Sequence, residues 1–512
     1  MSPVLRGRVV MLVDNDVSRD SRVQKEARSA ADKGWDVVLL GTARPGRITE
    51  WKLGEAQVRL LKVRYLLRHR RHLLRRGPLR APLSYNRPVM ARYRKQLVKA
   101  QKVDLQTRRA IHKIKSVGRE SALTTRAVNA FYFVQRARLA LFGRWVGLRA
   151  AKTVALEKRR QNLASPIDRF TTAFWEKTMG DRSWRRLDPS IWDWELTFGP
   201  AIDKLKPDII HANDFRMLGV GSRAMLRARA EGRSVKLVWD AHEYLPGLGR
   251  HMANTRWHPA QVANEREFVH FADAVTTVSD VLADILVDEY GLPEKPAVVM
   301  NTPYSEPLAE GESIPTVREV AGLDPDVPIL IYSGGVTKQR GTGIMIEALP
   351  HLPGVHVILV SATDHSEFIL ELIARAHELG AGDRLHILPY AEPQHVVHYV
   401  SSANVGVHPT QHFPNHEISL ATKFFEYSHA RLPIVVSDVK TMSEKVYETG
   451  QGEVFVAEDL EDYVRAVKAV LADPDRYRAA YDKPGLLAGW TWESQADILD
   501  EVYGKLKPRP SN

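Results

Sequence analysis

The chain has 512 residues, 44% of them hydrophobic, no cysteine, and a formal net charge of +12. That length is too great for one hydrophobic core and argues for two domains, while the lack of cysteine excludes disulfides, thiolate metal sites and a cysteine nucleophile and fits a reducing interior. The charge is not evenly spread. Residues 61–160 carry 28 Lys and Arg against three acidic residues, a balance of +25, which leaves −13 on the remainder.

The first strand, Val9 to Val13, begins almost at once, with no signal-peptide pattern before it. A polar loop, Asp14 to Asp20, leads into a helix from Ser21 to Lys33 that Gly34 closes, and Trp35 to Leu40 form a second strand. This β-loop-α-β order places the first loop at the carboxyl end of a parallel strand, where such sheets bind ligands. Asp14-Asn15-Asp16 has the spacing of a D-x-D metal motif, but the same spacing recurs in turns at Asp324-Pro325-Asp326 and Asp473-Pro474-Asp475. A capping role for Asp20 or Ser21 accounts better for this loop.

From about 60 to 195 the β/α rhythm breaks. Arg68, Arg70, Arg71, Arg75 and Arg76 are interleaved with leucines, and helical patterns then run from Val89 to about Gln161. Phe131-Tyr132-Phe133 and Trp145 lie among Arg136, Arg138, Arg144 and Arg149. This reads as an amphipathic, cationic helical insertion suited to an anionic membrane interface. The next alternative, without function, is a hairpin packed on its own apolar stripe with a solvated basic face; a polyanionic polymer or nucleic acid comes after it. The candidate contacts are the five arginines of the first cluster with Arg136, Arg144 and Trp145. No run of about eighteen apolar residues exists, so no spanning helix is expected.

The rhythm resumes with strands at Pro207 to His211, Val235 to Trp239 and Ala274 to Val278, the last running into a helix capped at Ser279-Asp280. His211 and His242 fall in strand-end positions, and His242 is flanked by Asp240 and Glu243. A linker, Pro303 to Pro315, precedes a second β/α series. Its first strand, Ile329 to Tyr332, ends in Ser333-Gly334-Gly335, with Lys338 and Arg340 close behind, in outline a phosphate cradle. Further strands are expected at Val357 to Val360, Leu385 to Ile387 and Ala403 to Val407.

Asn415 to Tyr427 then carry a loop with Ser419 and Thr422 into a short helix, ahead of a strand at Ile434 to Val436. The start of a helix presents free N–H groups and the positive end of its dipole, so it attracts anions. Lys423 in the first turn opposes that dipole unless an anion such as a diphosphate sits there. Glu426, one turn on, is placed to accept two sugar hydroxyls; the simpler alternative is a solvated Lys423–Glu426 pair. A final amphipathic helix runs from Trp490 to Leu506.

Five pieces in this order resemble glycosyltransferase family 4, a family of retaining, nucleotide-sugar-dependent enzymes. They are Asp20-Ser21-Arg22-Val23 with Lys25-Glu26-Ala27, Asp208-Ile209-Ile210-His211-Ala212, Asp240-Ala241-His242-Glu243, Tyr332-Ser333-Gly334-Gly335 with Arg340-Gly341, and Thr422 to Tyr427 ahead of Leu432 to Asp438. The resemblance covers 1–55 and 200–505 and leaves out the basic insertion. It implies an α/β fold of GT-B architecture, with two Rossmann-like domains facing a cleft. Residues 1–312 would form the first domain, with the insertion at 60–195, residues 313–485 the second, and 486–512 a helix crossing back to the first.

The resemblance also implies roles. Glu426 matches the glutamate that holds the nucleotide ribose, Arg340 the basic residue that binds the donor diphosphate, and His242 the histidine near the reacting carbon. Gly334, Gly335, Lys338, Glu417, Ser419, Leu420 and Lys423 complete the expected donor site. Ser18, Asp20, Ser21, His211 and Glu243 are expected on the acceptor side. Two departures stand out. The family's first glutamate would fall at residue 418, which is Ile418 beside Glu417, and Gly335 replaces an arginine, so Lys423 or Lys338 is expected to supply that cation. The implied activity is transfer of a hexose from a UDP- or GDP-linked sugar, without a metal, to a lipid-linked or cell-envelope glycan. The expected location is cytoplasmic, at the inner face of the cell membrane. The alternative is a GT-B-shaped binding protein without catalysis.

Overall fold

The computed structural model describes residues 6–18, 20–44, 48–67, 82–85, 88–116, 122–164, 166–251, 254–305 and 313–508. The chain divides into two compact units. The first takes in residues up to Arg64, Ile191–Arg250 and Gln261 onward; the second takes in Tyr65–Ser190 and His251–Ala260.

The first unit is built on two sheets. One has eight strands: β1 (Arg8–Leu12), β2 (Asp36–Thr42), β3 (Glu50–Leu53), β4 (Ala56–Leu61), β5 (Ile209–Asn213), β6 (Lys236–Ala241), β7 (Ala274–Thr277) and β8 (Ala297–Val298). Their order is β3-β4-β2-β1-β5-β6-β7-β8, parallel throughout except for the β3–β4 hairpin. The other sheet is wholly parallel, in the order β11-β10-β9-β12-β13-β14, from β9 (Ile329–Ser333), β10 (His356–Val360), β11 (Leu385–Leu388), β12 (Val405–His408), β13 (Ile434–Ser437) and β14 (Gly452–Phe455). In both, the order doubles back beside the strand that starts the series, opening a crevice at the strands' carboxyl ends.

Continuous apolar runs suit strands covered on both faces. Val9, Val10, Met11 and Leu12 in β1 and Ile329, Leu330 and Ile331 in β9 have no exposed surface. Helix α1 (Ser21–Asp32) packs on the first sheet through Val23, Ala27 and Ala30, and Asp20 caps it by accepting from the Val23 N–H at 3.2 Å. The C-terminal helix (Trp492–Leu506) joins the core of the first sheet, where Trp492, Leu499 and Tyr503 lie with Val9, Ala27 and Trp35. The strands β3 and β4 were not expected. Their alternating pattern is short and half exposed, so it carries little signal beside the buried parallel strands.

The second unit contains two long helices packed on each other, α2 (Pro88–Ser116) and α3 (Ala122–Asn162). Ala91, Val98, Val146 and Ala150 are buried where they meet. On α3, exposed Phe131, Val134, Leu141 and Phe142 fall within about 100° of one another around the helix axis, with Arg138 and Arg149 on the same side and Phe133 apart. The unit also recruits His251–Ala260, where Arg256 makes a 2.6 Å ion pair with Asp168.

Candidate active site

Loops at the carboxyl ends of β6, β9 and β12 meet around a cavity of about 540 Å³ in the first unit. His242 and Glu243 reach it from β6, Gly335 and Arg340 from β9, and Ser419 and Lys423 from the loop and helix after β12. That loop is tied to the first sheet by three hydrogen bonds. The Tyr244 N–H donates to Asn415 at 3.0 Å, the Ser279 hydroxyl to the Ile418 carbonyl at 2.7 Å, and the Asn301 amide to Thr422 at 3.0 Å.

The cavity wall is cationic where the helix Thr422–His429 begins. Its N-terminus has no side-chain cap and no acidic residue in its first turn, so its free N–H groups and dipole keep a positive end beside Lys423. Gly334, at φ +150°, lets Lys423 pass: a Cβ at 334 would stand 2.9 Å from the lysine Cε. Gly341 is fixed by a closer approach, since its Cβ would fall 1.7 Å from the Pro409 carbonyl oxygen, and this turn carries Arg340. The effect shows on His408, whose imidazole is pushed down to about 3 by burial, with Arg340 and Lys423 adding to it. Arg340 and Lys423 thus disfavour a further cation beside them, and their charge suits an anion.

Opposite, His242 is held by a buried charge network. Its Nε2 lies 2.5 Å from Asp240 Oδ2. Arg22 donates to both Asp240 oxygens at 2.8 Å, and the Thr276 hydroxyl donates to Oδ1 at 2.8 Å. Burial alone would raise the Asp240 carboxyl, but Arg22 and His242 hold it well below the usual carboxylate range. Burial opposes charge on His242 as well, yet Asp240 outweighs it and the imidazole is raised to about 9. His242 is therefore a cation at neutral pH.

Of the other expected residues, Ser419 and Glu243 line the cavity, while Glu426 does not and is buried in the helix, its Oε2 without a hydrogen-bond partner among the described residues. Lys338 does not join them. Its ammonium is 2.9 Å from Glu371 and lies over the Phe368 ring, on the solvent side. Glu417 is also engaged elsewhere, 2.5 Å from His412 Nδ1 and accepting from the Lys440 N–H at the start of the helix Lys440–Thr449. Leu420 packs on the core of the second sheet. On the first sheet, Ser18 is exposed and donates to Asp16, Asp20 caps α1, and Ser21 is the first residue of that helix. His211 does not reach the cavity either: it is wholly buried, with Nδ1 2.6 Å from the Tyr503 hydroxyl of the C-terminal helix. Burial pushes its imidazole down to about 4. Arg136, Arg144 and Trp145 are exposed on α3, whereas Arg68, Arg70, Arg71, Arg75 and Arg76 lie outside the described residues.

Reading the sequence missed Lys25 and the importance of Arg22. Lys25 is buried, donates to the Thr302 carbonyl at 2.5 Å, and sits 4.6 Å from the Trp492 ring. Burial pushes it down to about 7, against the opposing charge of Glu426. The available signal was three charged residues, Arg22, Lys25 and Glu26, on the helix face that carries Val23, Ala27 and Ala30. For a metal, ligand atoms of Glu26, His211 and Asp240 come within 4.8 Å of one another. The Arg22 guanidinium already sits 3.1 Å from Glu26 and 2.8 Å from Asp240, so a dication there would face a fixed cation. Asp14 and Asp16 are likewise paired, with Arg216 and Arg44.

The family model Glycosyltransferase Family 4 matches residues 176–304, and the model Glycosyl transferases group 1 matches residues 313–484. The chain belongs to glycosyltransferase family 4. Among curated relatives, this family 4 chain is 26% identical over 262 residues to a D-inositol 3-phosphate glycosyltransferase of Xylanimonas cellulosilytica, over 49% of the chain and 61% of the relative. It is 27% identical over 258 residues to an alpha-maltose-1-phosphate synthase of Mycolicibacterium smegmatis, over 47% of the chain and 65% of the relative. The match thus spans less than two thirds of either relative's length. Its fold is similar to a sucrose-phosphate synthase from Thermosynechococcus elongatus (TM-score 0.59, 14% identity, 98% of this chain and 99% of that one). It is also similar to Anabaena HepE in complex with UDP and glucose (TM-score 0.57, 12% identity, 98% and 100%). The family 4 chain has the GT-B fold.

Proposed function

We propose that the chain is a retaining glycosyltransferase that moves a hexose from a UDP- or GDP-linked sugar to a lipid-linked or cell-envelope glycan at a membrane surface. One observation carries the transfer reading: a cavity with a charged His242 on one wall and Arg340, Lys423 and a free helix N-terminus on the other. Arg340 and Lys423 hold the donor diphosphate and stabilise its charge as the bond from the sugar carbon to the phosphate oxygen breaks. Glu426 Oε2 accepts from the ribose. His242, already protonated through Asp240, donates to the sugar and does not act as a base. The acceptor oxygen bonds to the sugar carbon on the face the diphosphate leaves, and the acceptor proton passes to the departing phosphate oxygen. No step is assigned to a metal. Anabaena HepE, of similar fold, is seen with UDP and glucose, which supports a nucleotide-sugar donor.

The membrane half of the reading rests on the basic insertion, which would hold the protein at the inner face of the cell membrane as a peripheral protein. Among the described residues no helix is long and apolar enough to cross a membrane. One feature favours a binding protein without catalysis: Glu417, beside Ile418, is committed to His412 and Lys440. Release of a nucleoside diphosphate from any sugar nucleotide would dispose of that alternative.

The deciding experiment is a thermal-shift panel with UDP, GDP, ADP and CDP on the wild type and Glu426→Ala. A nucleotide at about a hundred times its dissociation constant stabilises the folded state by about 2.7 kcal/mol. One nucleotide should raise the midpoint and the variant should lose the rise. No rise with any of the four would overturn the transfer reading.

A further inference from the structure

Among the described residues, the α2–α3 hairpin buries side chains at one end only. Ala91 and Val98 meet Val146 and Ala150 there, but from Lys99 to Trp145 no described side chain is buried. The open end encloses a cleft of about 830 Å³, within the range of small-molecule sites. Leu105, Leu139 and Phe133 give it an apolar lining, Lys102, Arg109 and Arg136 stand in its walls, and among the described residues no carboxylate lines it. The two helices together carry 18 Lys and Arg against two acidic residues.

The occupant follows from charge and polarity. A second copy of this hairpin would set one strongly basic surface against another. A duplex nucleic acid would meet the cations but leave Leu105, Leu139 and Phe133 in water, since its recognition rests on phosphate contacts and base edges. A molecule with an apolar chain and a phosphate satisfies both halves of the cleft. We propose that the open end of the α2–α3 hairpin is a binding site for an anionic lipid, its chain in the cleft and its phosphate on Lys102, Arg109 and Arg136. This deepens the membrane-surface part of the proposed function and rests on it, but on no step of the transfer.

The test uses the full chain and sedimentation with phosphatidylcholine vesicles, with and without phosphatidylglycerol. The wild type should bind the anionic vesicles about tenfold or more tightly than the neutral ones. Arg109→Gln with Arg136→Gln, and separately Phe133→Asn with Leu139→Asn, should each remove most of that difference, the second without changing charge. Lys95→Gln with Arg138→Gln removes the same charge from exposed positions outside the cleft and should retain most of the binding. All these positions are exposed or half-exposed, and circular dichroism checks that the helices persist. The proposal is overturned if the Phe133/Leu139 pair binds like the wild type, if both charge pairs lose the same amount, or if duplex DNA binds where the vesicles do not. UDP calorimetry on the same variants should be unchanged; loss of UDP binding in the wild type would count against the donor site alone.

Discussion

At the scale of single residues, the pair Asp240–His242 determines what the site can do. Asp240→Asn should bring the His242 imidazole down from about 9 towards its ordinary 6.5, read by NMR of labelled histidine. A raised base contributes stability fully present below its unfolded value and lost as pH rises through the folded value. The contribution of His242 should therefore decline between about 6.5 and about 9, and Asp240→Asn should remove it. Glu26, raised to about 8 by burial and by Asp240, loses stability in the same direction. His211, depressed to about 4, works the other way: its contribution is present above 6.5 and is lost as pH falls through 4. Lys25, depressed to about 7, works against the first two above pH 7, so the check is the difference in denaturant midpoints between wild type and Asp240→Asn across pH; no difference between 6.5 and 9 would contradict the charged His242. At Gly334, an alanine would meet Lys423 in a strained conformation. Gly334→Ala should cost about 1–3 kcal/mol and weaken UDP binding, measured by calorimetry.

At the scale of elements, two helices hold the site. The helix Thr422–His429 supplies free N–H groups and Lys423, so Lys423→Glu should abolish the nucleotide-induced thermal shift while leaving the midpoint without ligand nearly unchanged, because position 423 is only half-buried. The C-terminal helix does structural work far from its place in the sequence. Trp492 is almost wholly buried beside α1, and Trp492→Ala should cost about 3–5 kcal/mol by chemical denaturation. Tyr503→Phe removes the partner of His211 Nδ1 and should cost about 1–3 kcal/mol. Both helices were legible in the sequence, one from its loop-to-helix pattern and the other from its apolar period. The Tyr503–His211 contact was not, because 292 residues separate its partners.

At the scale of the whole molecule, charge is divided between parts. Residues 61–160 hold the positive excess while the remainder is net negative. Raising salt from about 0.1 M to about 1 M shortens the screening length about threefold and should release the protein from anionic vesicles. Nucleotide binding in the cavity, where the cations are partly enclosed, should weaken far less. Vesicle sedimentation and calorimetry at both salt levels check this, and equal sensitivity would place both ligands on one open basic surface.

The sequence alone determined the β/α rhythm, the interrupting basic insertion and the charged residues of the two turns beside the cavity, because buried parallel strands and helix starts leave local patterns in residue type. It singled out Arg340, Lys423, Glu426 and His242 by their place in short motifs; the first two and His242 line the cavity, and Glu426 is buried in its helix. Which charges face the cavity was decided by tertiary structure. Lys338 and Glu417 have the right chemistry in the right loops, yet Glu371, His412 and the Lys440 N–H engage them. His211 sits at a strand end as expected and is buried under the C-terminal helix. Arg22 and Lys25 stand in one of the matching motifs, but only folding shows that they are buried against Asp240 and Trp492. A side chain's type is local, but its partner, its burial and hence its charge state depend on segments hundreds of residues away, and those meet only in the folded chain.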